Sequence, residues 1–84
     1  METAKIDELR ALWERLLGNP PELMQFEVWA LSNDYELIRH GIIKTVEKYM
    51  AVGRVMDQDH RRRYCSAVMI NIARSPRPLT RVKL

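Results

Sequence analysis

Apolar side chains recur at helical rather than alternating intervals along the whole chain. Ile6, Leu9, Trp13, Leu16 and Leu17 form one such series, with Asp7, Glu8, Arg10, Glu14 and Arg15 on the remaining positions, and this predicts a first helix over 4–17. Thr3 is placed to cap it, and Gly18 suits the positive-φ residue that closes a helix. Asn19-Pro20-Pro21-Glu22 reads as a turn that also starts the second helix, over 20–31, because proline is tolerated in a first turn. Leu23, Met24, Phe26, Val28, Trp29, Ala30 and Leu31 make that helix apolar nearly all round, which predicts a place at the centre of a bundle. Ser32-Asn33-Asp34 supplies the next break and cap. A third helix over 34–52 follows, with Tyr35, Ile38, Ile42, Val46 and Tyr49 on one stripe, widened by Ile43 and Met50. Gly41 inside it costs ~1 kcal/mol relative to alanine, so another helix is expected to pass close to its backbone. Gly53-Arg54 ends this element and Asp57 caps a fourth helix over 57–74. Its stripe is Tyr64, Cys65, Val68, Met69 and Ile72, with Arg62, Arg63 and Ser66 facing away.

No strand alternation and no Asn-Gly or Asp-Gly hairpin signal occurs. The expected fold is all-α: one compact four-helix, bundle-like domain over 1–74 around Trp13, Phe26, Trp29, Ile38, Ile42, Tyr64 and Val68. Residues 75–84, with two prolines, three cations and no acid, read as an extended basic tail. At 84 residues the chain buries only about 60% of its unfolded surface, so a partner subunit would help it. Nothing approaches the run of about 18 apolar residues of a membrane span, and the first residues lack the apolar core of a secretory signal. A cytoplasmic protein without membrane contact is expected. The single cysteine, Cys65, excludes an internal disulfide framework and a cysteine-based zinc site. The three glycines are isolated, which excludes glycine-rich phosphate loops.

The formal charge of +3 conceals a division along the chain. Residues 1–53 carry six basic and nine acidic side chains, a net of −3; residues 54–84 carry eight basic side chains against Asp57 and Asp59, a net of +6. Such a polarised chain suits a polyanionic partner. Within the basic end, His60-Arg61-Arg62-Arg63 opens the fourth helix. Guanidinium groups match phosphate oxygens bidentately, and a helix N-terminus adds unpaired N–H groups. At ~100° per residue three consecutive arginines fan around the helix, so at most two can meet one ligand. A solvated charged face, partly neutralised by Asp57 and Asp59, is the plainer reading. Arg74, Arg77, Arg81 and Lys83 extend the positive charge into the tail, in the manner of basic arms that grip nucleic-acid backbones.

Other constellations reduce to structure. Asp57-Gln58-Asp59-His60 lacks the glycine and distal glutamate of a calcium loop and is better read as a capped acidic first turn, so no metal or other cofactor is expected. Cys65 lies on an apolar stripe, with His60 pointing elsewhere on the same helix, and reads as core rather than nucleophile. Glu36 and His40 form a surface pair. No paired carboxylates and no Ser/His/Asp set can be assembled, so no enzymatic role is expected. Most aromatic residues fall on or beside apolar stripes; Tyr35 and Tyr49 are the ones placed to reach the surface, and Arg63-Tyr64 is where an aromatic adjoins the arginine cluster.

The run Trp13-Glu14-Arg15-Leu16-Leu17-Gly18-Asn19-Pro20-Pro21-Glu22, followed by Trp29 and Tyr35-Glu36-Leu37-Ile38, resembles the helical C-terminal module of DnaD-like primosomal replication proteins over residues 10–50. Beyond Gly53 the chain departs from that pattern, with a longer approach to the last helix. The resemblance implies DNA binding through the last helix and the residues after it, together with helicase-loading or oligomeric contacts. The leading expectation is therefore a non-enzymatic, DNA-associated helical domain, with Arg61, Arg62, Arg63, Arg74, Arg77, Arg81 and Lys83 contacting the backbone. A variant treats helices three and four as a helix-turn-helix, although the Gly53–Met56 connection is not a typical tight turn. The competing expectation is a protein-interaction or dimerisation module, in which the second helix and Leu79, Val82 and Leu84 complete the core of a homodimer or of another helical protein.

Overall fold

A computed structural model describes residues 1–52 and 56–74, and every element among them is a helix: α1 (Thr3–Leu17), α2 (Leu23–Ser32), α3 (Tyr35–Val52) and α4 (Gln58–Arg74). The expected all-α, four-helix domain is what forms. Residues 53–55, where the third helix was expected to end, and the tail 75–84 lie outside the described residues.

The helix ends follow side-chain chemistry in four places. The Asp34 carboxylate accepts from the Leu37 N–H at 2.8 Å at the start of α3, and Asp57 accepts from the His60 N–H at 2.8 Å at the start of α4. Both are N-caps that satisfy donors the first helical turn leaves unpaired. Gly18 closes α1 with φ of 87°, a conformation that L side chains rarely adopt, and its N–H reaches the Glu14 carbonyl at 3.1 Å. Asn33 closes α2, its side-chain amide and its backbone N–H both donating to the Trp29 carbonyl.

Two expected starts are displaced. Thr3 is the first residue of α1 rather than its cap, and the position before it, Glu2, makes no side-chain capping bond. Pro20 and Pro21 precede α2, which begins only at Leu23. The proline pair spans the gap between α1 and α2 instead of entering the helix, and Arg10 holds it there by donating from Nε to the Pro21 carbonyl at 3.1 Å.

The core begins with three aromatic rings from two helices. Trp13 of α1 lies 6.2 Å from Phe26 and 6.0 Å from Trp29, both of α2, while Phe26 and Trp29 meet edge-to-face at 5.2 Å. Each such pair contributes ~0.5–1.5 kcal/mol beyond the area it buries. Ile6, Leu9, Leu17, Ile38, Ile42, Cys65 and Met69 complete the cluster. The Trp29 indole N–H crosses to α4 and donates to Ser66 Oγ at 2.8 Å. The Trp13 Nε1 is also buried but finds no acceptor among the described residues.

Three expectations about facing are corrected. Ser66 does not face away from the core, because it accepts from Trp29. On α4 the fully buried positions are Cys65 and Met69; Tyr64 and Val68 are half-buried. The helix is turned by Gly41: a Cβ there would stand 3.0 Å from Met69 Cγ and 3.2 Å from Cys65 Sγ, so these two side chains occupy the space a larger residue would fill. The close passage expected from Gly41 is therefore present. The third correction concerns α2, which is not central. It buries Phe26 and Trp29, while Leu23, Met24, Val28 and Leu31 are exposed. The backbone measures 17 Å along its shortest axis, which holds two layers of helices about 8–10 Å apart, so a helix in either layer meets the other on one side only.

Gly41→Leu is expected to lower unfolding stability by about 1–3 kcal/mol through overpacking against Met69 and Cys65, read from the midpoint of denaturant unfolding.

Candidate functional site

The N-terminal half of α4 is where the sequence concentrates its cations, and the helix sends the three arginines to three different environments. Arg61 turns inward. Its Nε donates to the Met56 carbonyl at 2.9 Å, its Nη1 donates to the Leu17 carbonyl at 2.7 Å, and its guanidinium lies 4.4 Å from the centroid of the Tyr49 ring. Leu17 is the last residue of α1, so this cation satisfies a helix-terminal carbonyl and complements the negative end of that helix. One side chain thus joins α1, α3 and the approach to α4. Two of its five N–H donors and its planar face are engaged within the fold.

Arg62 points along α2. It donates to Asp59 Oδ1 at 2.7 Å, with a second, long contact to Gln25 Oε1 at 3.5 Å. Arg63 shares the same carboxylate through Oδ2 at 2.9 Å, but its side chain is 68% exposed. Hydrogen bonding from Arg62, reinforced by the charges of Arg63 and His60, holds the Asp59 carboxyl below its usual value despite some loss of hydration. Surface ion pairs of this kind contribute little to stability and exchange readily with other charged groups. Asp57 and His60, with Arg63 and Tyr64, line a shallow hollow on the outer side of α4.

Arg74 is exposed at the other end of α4, eleven residues and about 17 Å of helix from Arg63. Arg77, Arg81 and Lys83 lie outside the described residues. Of the seven expected backbone contacts, the fold brings Arg62 and Arg63 together and holds Arg61 and Arg74 away from them.

A second surface feature was not expected. A groove of about 460 Å³ runs between the Asn19–Glu22 connection, α2 and the first turns of α4, with Met24, Val28 and the two prolines among its apolar lining and Glu22, Asp59 and Arg62 among its polar lining. The signal was present in the four apolar residues of α2 beyond those that one buried face can hold. The leading expectation read them as core, while the competing one gave this helix to a partner.

The remaining candidates behave as structure. Burial pushes the Cys65 thiol up to about 12, against a smaller opposing pull from its hydrogen bond with Thr45, so the sulfur is core rather than nucleophile. Thr45, itself buried, donates its hydroxyl to the Gly41 carbonyl at 2.7 Å. Tyr35 is half-buried and donates to Glu8 at 3.1 Å, with Lys5 4.7 Å from its ring centroid, which ties α3 to α1. Tyr49 is half-buried beneath Arg61. No group of His, Cys, Asp and Glu among the described residues could hold a metal ion, and none of their helices is long and apolar enough to cross a membrane.

The fold and this surface define a small all-α domain with a mixed basic and aromatic patch on its last helix. No known protein family, curated protein or solved structure matches the chain.

Arg61→Ala is expected to lower unfolding stability by about 2–3 kcal/mol, because it leaves two backbone carbonyls without their charged donor; Arg63→Ala is expected to leave the unfolding midpoint essentially unchanged. In a carboxyl-carbon NMR titration, Asp59 should ionise below an ordinary aspartate and move upward in Arg62→Ala. Because its folded-state pKa is depressed, its contribution to stability is present above the ordinary carboxylate range and is lost as pH falls through the depressed value.

Proposed function

We propose that the protein is a non-enzymatic, nucleic-acid-associated helical domain that grips the phosphate backbone of DNA through the outer side of α4 and the basic segment that follows it. The observation that carries this reading is the exposed Arg63 beside Tyr64 and His60, on a helix that leads through Arg74 into a segment with three further cations and no acid. An aromatic face next to a guanidinium suits the stacking and charge neutralisation that single strands require. Asp59 is no obstacle, since phosphate can replace an exposed carboxylate as the partner of Arg63. The resemblance to DnaD-like replication proteins over residues 10–50 supports the same reading and suggests a place in a replication assembly. Arg62, Arg63, Arg74, Arg77, Arg81 and Lys83 are the proposed backbone contacts. Arg61 is omitted because two backbone carbonyls and the Tyr49 ring hold its guanidinium against the fold.

A second reading, of a protein-interaction module, is favoured by the outer face of α2. Met24 is 68% exposed, Val28 51% and Leu31 84%, an apolar stripe that no described element covers.

Fluorescence anisotropy with labelled single- and double-stranded oligonucleotides, at low and moderate salt, tests the nucleic-acid reading. Log affinity should fall with log salt at a slope of about −4 to −5, and replacing Arg77, Arg81 and Lys83 by glutamine should reduce its magnitude by about 2–3. No binding at low salt would overturn it.

A further inference from the structure

We infer that the apolar stripe on α2 is the contact face of a symmetric homodimer, in which a second copy of this chain lays its own α2 parallel to the first and sets Glu27 against Arg63 across the seam. The inference rests on the reading of α2 as an interaction surface and names the partner that surface takes.

The face extends over two helices. Trp29 of α2 bonds Ser66 of α4, and four residues earlier on each helix Gln25 approaches Arg62, so the two run side by side in the same sense. On α4, at ~100° per residue, Ile70 and Arg63 stand about 40° and 60° beyond Ser66, on the side away from the buried Cys65 and Met69. On α2 the same count runs outward from the buried Phe26 and Trp29 through Gln25 to Val28, then to Met24 and Leu31, and last to Glu27. Arg63, Ile70, Val28, Met24, Leu31 and Glu27 are all exposed. The outer face thus carries an arginine at its α4 margin, a band of four apolar side chains, and a glutamate at its α2 margin.

These two margins select the occupant. Arg62 and Arg63 share the single Asp59 carboxylate, which leaves their corner with one positive charge in excess, and Glu27 makes no ion pair among the described residues. A two-fold axis parallel to α2 exchanges the two margins, so Glu27 of each copy comes over the Arg63 margin of the other. The levels along the helices agree. With Arg62 level with Gln25, Arg63 falls about 1.5 Å short of Glu27 along the shared direction. An antiparallel copy instead keeps each margin beside its own equivalent, glutamate on glutamate and arginine on arginine, which like-charge repulsion disfavours.

Parallel pairing also aligns the apolar positions. Met24, Val28 and Leu31 stand at the i, i+4, i+7 spacing of a helix that packs on another helix, and in register each meets its own equivalent. Ile70 lies about 3 Å past the Leu31 level, where it flanks Leu31 of the other copy. Covering these side chains removes apolar surface that the body itself leaves in water. Such an interface is at the small end of the specific range, so the association is weak, with a dissociation constant of about 0.1–1 mM.

Sedimentation equilibrium of the full chain tests the inference, without nucleic acid because Arg63 is shared with the nucleic-acid reading. The expected result is a monomer–dimer equilibrium in that concentration range. Glu27→Arg and Arg63→Glu should each weaken it about tenfold, and the chain carrying both should recover to within about threefold of the unaltered protein, because the reversed charges pair again. These changes, like Leu31→Asp, alter exposed side chains, and the unfolding midpoints verify that the fold is kept. A dimer that Leu31→Asp abolishes but the single charge reversals leave unchanged would overturn the parallel arrangement, while α2 would remain an interaction surface. A chain monomeric up to about 2 mM would overturn the second copy as occupant and leave the face to a different protein. A dimer indifferent to Leu31→Asp would remove both the inference and the reading on which it rests.

Discussion

The mutual packing of Trp13, Phe26 and Trp29 is the constraint on which the rest of the arrangement depends. These rings bring α1 against α2, and the indole N–H of Trp29 then fixes α2 to α4 through Ser66. A ten-residue helix that commits two large aromatic side chains to one side has only that side available for burial. The outward apolar stripe of α2 is therefore a consequence of the core rather than an incidental feature of the surface.

The same geometry divides the arginine run by role. Helical twist points Arg61 into the junction of α1 and α3, Arg62 along α2 and Arg63 into solvent, so identical side chains become a structural cation, a rim contact and an available charge. Formal charge overstates what such a helix can offer a polyanion. A guanidinium that already satisfies two backbone carbonyls cannot leave without uncovering a helix end. Asp59, by contrast, holds its two arginines in water, where exchange costs little.

Much of this fold was legible in the sequence. Four periodic segments, the Asp34 and Asp57 caps, the closing Gly18 and the tight passage at Gly41 all have local signatures, because each arises from backbone geometry or from apolar spacing within one turn of helix. What was not legible depended on partners distant in sequence. Ser66 looks like a surface residue until Trp29, 37 positions away, is placed beside it. Arg61 looks like its neighbours until the end of α1, 44 positions away, is brought to it. The apolar composition of α2 signalled burial, yet composition does not tell how many neighbours a helix will have. The Pro20-Pro21 pair was compatible with a helix start or a connection, and the Arg10 bond to Pro21 belongs to the second.

The Arg61–Leu17 bond also closes a long loop of the chain. The final turn of α1 ends on a carbonyl whose donor is made 44 residues later, and Arg61 must also meet Met56 and Tyr49 to hold its position. Closing so long a loop is entropically slow compared with pairing neighbouring helices. The aromatic contact of α1 with α2 and the α3–α4 contact each join helices that are neighbours in sequence, whereas the Arg61 bond ties the end of α1 to α4 across 44 residues. The loop entropy of that long closure is opposed at the seam by one polar side chain, at the edge of a core that is apolar.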